Sequence, residues 1–350
     1  MKKFTTLLLI LLMSFAAASV AVGEGDTRIF TDSTGREVTV PRSITRVAVT
    51  GPMTQHVVFA LAPDMLVGVS DAWSEEEKEF IPQEYWSLPD IGQLYGGKGT
   101  MNLEALLAAE PQIVLDIGES KKGIGDDMEQ LTLQTGIPFI HIDAELFTFH
   151  EAFIALGDLL GCPDMARELA DFCSRTCLAA QQTADKAEKV RLLYIVGEEG
   201  LGVIAKGSYQ ASVIDLMSDN IAVVENPSAR GTGNEVDMEQ LLLWDPECII
   251  FGTGSVYDQV AEDPLWQNLT AVKNGRYYES PCGPYNWMGF PPACQRMVGL
   301  LWMGKLLYPE AADYDLYEEA KTYFNLFYHT QLPEERFNEL VKHSIGKTLK

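Results

Sequence analysis

The chain has 350 residues, of which 47% are hydrophobic and 22% charged, with a formal net charge of −24. That length suits two lobes better than one small core, and the composition is that of a folded protein rather than a disordered one. The acidic balance argues against nucleic acid or an anionic membrane surface as a partner, and an anionic ligand would need local positive charge to be held.

The first 21 residues read as a signal peptide. Lys2-Lys3 is a basic start, Phe4–Phe15 is an apolar run too short to span a bilayer, and Ser19-Val20-Ala21 fits small-residue cleavage, with Ala16-Ala17-Ala18 a competing site. No cysteine near that point can carry a lipid anchor. Loss of Lys2 and Lys3 would leave a mature charge of −26. An exported, soluble protein is expected, periplasmic if the cell has two membranes.

Arg28–Val40 alternates around a Ser-Thr-Gly turn and predicts a hairpin that Pro41 ends. Arg46–Val49 predicts a short buried strand, Thr54–Leu61 a helix, Leu66–Val69 a strand, and Asp71–Tyr85 a polar loop with aromatics. Met101–Gly118 (MNLEALLAAEPQIVLDIG) then recurs as Val236–Thr253 (VDMEQLLLWDPECIIFGT). Without gaps, Asn102 meets Asp237, Glu104 meets Glu239, and Pro111 meets Pro246. Each copy reads as a polar cap, a glutamate, an apolar helix, an acid-Pro stop and a buried strand, which suggests two lobes of similar build.

Ile137–Ile142 predicts a further strand. Pro163–Lys186 lacks glycine and internal proline, with apolar residues at helical spacing, so it predicts one helix of roughly 36 Å. A second α/β series follows: strand Arg191–Val196, Gly-rich loop Gly197–Gly207, helix Tyr209–Met217, the second repeat copy and strand Lys273–Tyr278. Ser280–Pro292 is an irregular loop, and helices are expected at Ala293–Leu307, Asp315–Tyr328 and Pro333–Lys342. Alternating strands and helices imply parallel βαβ units. Of six cysteines, Cys282 and Cys294 flank the Gly/Pro-rich loop, where a disulfide or two free thiols would both fit; Cys173 and Cys177 lie one helical turn apart, and Cys248 reads as core.

TDSTGREVTVPRSITRVAV, MNLEALLAAEPQIVL, VDMEQLLLWDPECII, DPLWQNLTAVKNGRYY and GLLWMGKLLYPE, in this order and spacing, resemble the periplasmic substrate-binding proteins of ABC importers for vitamin B12, ferric siderophores and haem. The resemblance covers essentially the whole mature chain. It implies an α/β fold of two Rossmann-like lobes joined by a single long helix: residues 22–160 as the N-terminal lobe, 161–189 as the interlobe helix, and 190–350 as the C-terminal lobe with terminal helices. It also implies a monomer that captures an iron-siderophore-type metal chelate, with haem or cobalamin as alternatives, and delivers it to an inner-membrane permease dimer with its ATPase. Permease docking through one glutamate per lobe then falls on Glu104 and Glu239. A carboxylate at a short helix start suits bidentate pairing with arginine, although Glu at that position also favours the helix dipole.

A ligand is expected between the loops at the carboxyl ends of the strands. Trp73, Tyr95, Tyr209, Tyr257, Tyr285 and Trp287 are candidate walls for a flat or bulky chelate. Arg230 is the first candidate to pair an anionic ligand, with Lys98 and Lys206 second. Basic residues in these loops are fewer than an anionic siderophore would call for. Direct metal ligation has little support, because the five histidines form no HxH or HxxxH pair and only His56 falls in a predicted cleft loop. No catalytic residue and no resident cofactor are expected. A two-lobed enzyme is the main rival class, but no GxSxG, HExxH or iron–sulfur cysteine set is present. A zinc or manganese receptor would need several cleft histidines and carboxylates.

Overall fold

The computed structural model describes residues 26–94, 101–289 and 291–348. The predicted signal peptide, Tyr95 and Lys98 lie outside them.

The N-terminal lobe opens with the antiparallel hairpin β1 (Thr27–Thr31) and β2 (Glu37–Pro41). Then come β3 (Val47–Val49), α1 (Pro52–Leu61), the single turn α2 (Glu75–Lys78), α3 (Leu103–Ala108), β4 (Ile113–Gly118), α4 (Ile124–Thr135), β5 (Phe139–Asp143) and α5 (Phe149–Leu160). Strands β3, β4 and β5 pair in parallel. The expected strand at Leu66–Val69 is reduced to isolated bridges, Val47 to Leu66 and Val69 to Asp90. The expected polar loop at Asp71–Tyr85 is more ordered than its composition suggested. Ser74 caps α2 with a reciprocal capping box to Glu77, and a 3-10 turn covers Gln83–Tyr85.

Helix α6 (Pro163–Asp185) links the two sheets. Proline at its first position costs no internal hydrogen bond, and Ala166, Leu169, Ala170, Phe172, Cys173, Thr176, Ala180, Thr183 and Ala184 form its buried stripe. The second lobe contains β6 (Arg191–Val196), β7 (Gly202–Val203), α7 (Ser212–Met217), β8 (Asp219–Asn220), β9 (Asn234–Glu235), α8 (Met238–Trp244), β10 (Cys248–Phe251), α9 (Thr270–Lys273), β11 (Tyr277–Glu279), α10 (Arg296–Leu307), α11 (Leu316–Tyr328) and α12 (Glu334–Leu340). Its sheet runs β11-β10-β6-β7-β9, with β8 also paired to β6. The expected strand at Lys273–Tyr278 is two elements, because Thr270–Lys273 completes a helical turn before β11 begins.

Both central strand pairs alternate with period two between an inner and an outer core. Val47, Val49, Ile113 and Leu115, together with Leu192, Tyr194, Cys248 and Ile250, enter one cluster that also takes in α6, α10 and α11. The residues between them, Ala48 and Val114 in one lobe and Leu193, Ile195, Ile249 and Phe251 in the other, face separate outer clusters. The fold is thus α/β, two Rossmann-like lobes joined by a long helix, with an apolar core that runs through both. The late helices return to the first lobe. Phe324 packs on Phe80 at 5.3 Å, Tyr328 stacks on His56 at 5.0 Å, and His329 Nε2 lies 3.1 Å from the Phe59 carbonyl.

Candidate ligand cleft

The loops at the carboxyl ends of β3, β4 and β5 meet the loop before α7. Tyr209, at the head of a 3-10 turn (Tyr209–Ala211), donates its hydroxyl to the Ala144 carbonyl at 2.7 Å and also lies 3.8 Å from Met53 Sδ, so its hydroxyl bridges the lobes at this point. Burial raises the Tyr209 pKa, against a smaller lowering by Arg296, which keeps the phenol protonated as this donor requires.

Arg296, the first residue of α10, is fully buried beneath Tyr209. Its Nη1 donates to Ser212 Oγ at 2.7 Å and to the Tyr209 carbonyl at 3.2 Å. Its Nη2 donates to the Pro292 carbonyl at 2.9 Å and to the Tyr209 hydroxyl at 3.4 Å. The guanidinium carbon lies 4.9 Å from the Tyr209 ring centre and 5.9 Å from that of Phe149 in the other lobe. Among the described residues Nε has no hydrogen-bond partner and no carboxylate pairs with Arg296. A buried charge that meets only neutral acceptors is costly unless a counter-charge arrives. Sequence reasoning missed it, having read Ala293–Leu307 only as an amphipathic helix. The available signal was a lone cation, beside Gln295, at the head of the apolar run from Met297 to Met303.

The N-lobe edge carries the opposite sign. Thr50 Oγ1 donates to Asp116, the other Asp116 oxygen lies 2.7 Å from His141 Nδ1, and His141 Nε2 lies 2.9 Å from Asp143 Oδ1. Burial works to lower the His141 pKa, but the bonds and charges of Asp116 and then Asp143 outweigh it and raise the value. Two carboxylates around one imidazole leave this edge negative. Among the described residues no group of three His, Cys, Asp or Glu side chains is arranged to hold a metal ion.

The expected ligand aromatics are scattered. Trp73 is in the N-lobe core, edge-on to Phe59 with its indole N–H on the Tyr85 carbonyl, because the Asp71–Tyr85 segment folds down as capped turns. Trp287 is fully buried under α10, where Gly299 lets the backbone approach its carbonyl. Tyr285 is buried against His56 at 5.0 Å. Tyr257 is half-buried and stacks on His343 at 5.0 Å, with Lys347 above it. These four rings serve packing; Tyr285 also crosses between the lobes, against His56, but it is buried there, and Tyr209 is the described aromatic candidate that stands beside Arg296. His56 also belongs to the core, and burial pushes its pKa down to about 3. Arg230 is exposed, with its backbone N–H on Ser228 Oγ, and Lys206 pairs with Asp219 at 3.1 Å. Cys282 is exposed, Cys294 is buried, and both thiols are free.

Glu104 and Glu239 are both exposed at the second position of their helices. Asn102 caps α3 by accepting from the Ala105 N–H at 3.0 Å, and Asp237 caps α8 by accepting from the Gln240 N–H at 2.8 Å.

A family model described as periplasmic binding protein matches residues 47–282, more than half of the chain. The molybdate-binding protein MolA of Haemophilus influenzae is 26% identical over 94% of this chain and 97% of its own. The Fe(3+)-citrate-binding protein YfmC of Bacillus subtilis is 23% identical over 61% of this chain and 66% of its own. Among solved structures, an ABC transporter solute binding protein from Sulfurospirillum deleyianum superposes with a TM-score of 0.82 at 24% identity, covering 90% of this chain and 99% of that one.

Proposed function

The chain belongs to the periplasmic binding protein family, and we propose that within it this member captures a compact oxyanion of the molybdate type and hands it to an ABC permease with its ATPase. The protein is a solute-binding protein rather than an enzyme. No helix among the described residues is long and apolar enough to cross a membrane. Arg296 is the observation that carries the ligand class. The whole chain is strongly acidic and repels anions, yet a buried guanidinium without a carboxylate stands at the lobe junction, beside a tyrosine that bridges the lobes. An oxyanion supplies the missing negative charge and accepts hydrogen bonds in several directions. The direct Tyr209–Ala144 bond and the inward packing of Trp73, Tyr285 and Trp287 favour a small ligand over a flat chelate. The molybdate-binding relative agrees with that choice.

Calorimetric titration with molybdate, tungstate, sulfate, ferric citrate and a ferric catecholate tests the reading. Saturable binding of molybdate or tungstate is expected, and Arg296→Gln should weaken it by about 30-fold or more, the effect of removing one partner from a buried charge pair. Absence of oxyanion binding, or an unchanged affinity in that variant, would overturn it. The ferric-citrate-binding relative supports a second reading, an anionic iron chelate; preference for ferric citrate in the same titration would establish it.

Glu104 and Glu239 are the proposed contacts with permease arginines. They stand exposed at matching places on the two lobes, each on a capped helix start.

A further inference from the structure

Helices α3 and α8 are only six and seven residues long, and each buries a single side chain fully, Leu106 and Leu241 at matching repeat positions. Leu103 and Ala105 in α3, and Met238, Leu242 and Trp244 in α8, pack only partly buried against the same clusters, a small apolar footing for holding a helix's rotation about its axis. Both helices are held by something the gapless repeat does not show. Arg46 donates from Nε to the Glu110 carbonyl at 2.9 Å and from Nη2 to the Ala109 carbonyl. Arg191 donates from Nη1 to the Asp245 carbonyl at 3.3 Å and from Nη2 to the Trp244 carbonyl at 2.6 Å. Ala109 and Glu110 align with Trp244 and Asp245, so each guanidinium grips the same two carbonyls. Beyond that grip, Glu110 and Asp245 both take the left-handed conformation, with φ of 45° and 39°. Each arginine is tied in turn to the strand that follows the helix. The Gln112 N–H donates to the Arg46 carbonyl at 2.9 Å, and the Glu247 N–H to the Arg191 carbonyl at 3.0 Å. The side chains of Gln112 and Glu247 also accept from the Arg46 and Arg191 N–H groups.

We infer that Arg46 and Arg191 are positioning residues that set the direction of Glu104 and Glu239 for docking on the permease; the inference rests on the docking reading above. The helix C-terminus carries orphan carbonyls and a partial negative charge. A guanidinium fork satisfies two of those carbonyls at once and locks the helix to the sheet edge. With the N-cap at one end and the fork at the other, the exposed glutamate has a fixed bearing on each lobe. Two fixed bearings allow one rigid surface to be recognised at both ends together. Arg28 supplies an internal control. From Nη2 alone it donates to the Asp158 and Leu159 carbonyls in the last turn of α5, with Nη1 on the Asp158 carboxylate at 3.0 Å, but α5 buries seven residues and carries neither glutamate.

The test uses the full mature protein and the permease–ATPase reconstituted in nanodiscs, with docking affinity measured directly and molybdate affinity measured in parallel. Arg46→Gln plus Arg191→Gln should weaken docking about tenfold and leave molybdate affinity unchanged, with Arg28→Gln docking as wild type. In a double-mutant cycle, the losses from Arg46→Gln and Glu104→Gln should be less than additive, because the clamp acts through the glutamate. Normal docking by Glu104→Gln plus Glu239→Gln would overturn the docking reading itself. Loss of docking in those variants, with normal docking in the arginine pair or additive losses in the cycle, would overturn the positioning role alone.

Discussion

Glu110 and Asp245 occupy the same place in the two lobes, with the same left-handed backbone, the same proline after them and the same arginine grip on their carbonyls. Their side chains differ. Asp245 accepts from the Thr270 N–H and hydroxyl, both at 2.7 Å, and so ties α9 to the repeat unit. Glu110 is exposed and makes no side-chain bond among the described residues. Backbone geometry is shared, and local chemistry is not. The same split holds at the cleft, where the C-lobe offers the buried guanidinium of Arg296 and the N-lobe offers the acidic Asp116, His141 and Asp143 group. On the proposed reading, the positions the two repeat copies share set how each lobe presents itself outward, and positions that differ, such as Asp116 against Phe251, or that lie outside the repeat, line the cleft.

The largest effect that would break this comparison concerns the shared part. Glu104→Arg plus Glu239→Arg should abolish uptake in cells while the isolated protein keeps its ligand affinity; normal uptake would remove the docking assignment from both lobes. Next come two turn glycines in left-handed backbone. A Cβ at Gly233 in the C-lobe would lie 2.3 Å from the Val203 carbonyl oxygen, whereas one at Gly35 in the N-lobe hairpin meets nothing within 4 Å. Gly35→Ala should cost about 1–2 kcal/mol from backbone strain alone. Gly233→Ala should cost a further 1–3 kcal/mol or so for the clash. Equal losses in chemical denaturation would contradict this difference.

Smaller still is the pair at the helix ends. Glu110→Gly relieves about 1–2 kcal/mol of left-handed strain against a smaller entropic cost of the glycine, and should stabilise. Asp245→Gly gives up two hydrogen bonds as well and should destabilise. A gain in both melting temperatures would show that the Thr270 bonds contribute little. The smallest effect is a pH dependence at the N-lobe edge. The folded pKa of His141 is raised, so its stabilising contribution is complete below the ordinary histidine value and is lost as pH rises through the folded value. His141→Gln should flatten the fall in melting temperature as pH rises above the ordinary histidine value. His56 has a lowered pKa and acts in the opposite sense, opposing the folded state as pH falls below the ordinary value. An unaltered profile in His141→Gln would mean that its ion pairs contribute nothing.

Much of the architecture was legible because it is periodic. The strand and helix alternation, the α6 stripe, and the Asn102 and Asp237 caps all follow from local spacing. The arginine clamps were not legible. Arg46 lies 58 residues before Glu104, while Arg191 lies 48 before Glu239, so a gapless repeat misaligns them, and only sheet pairing restores the match. The cleft was the least legible part. Trp73 and Trp287 fall in segments whose composition suggests loops, but these segments fold inward, and a tryptophan gains more from burial than from exposure at a loop tip. Arg296 hid for the converse reason, as a charge at the head of an apolar run whose neutral partners come from two segments, Tyr209–Ser212 and the loop ending at Pro292.

The return of α11 to the first lobe bears on how this chain is made. His56 and Tyr323 are 267 positions apart and both fully buried. The polypeptide is synthesised from its N-terminus, so α1 exists long before its cover does, and the first lobe stays open-sided until the last tenth of the chain has been built. Contacts this distant in sequence form slowly, so the leading lobe remains exposed through most of synthesis. A chain truncated after Pro309 should accordingly leave its first lobe readily cleaved by protease, and protection equal to the full chain would show that the lobe closes by itself.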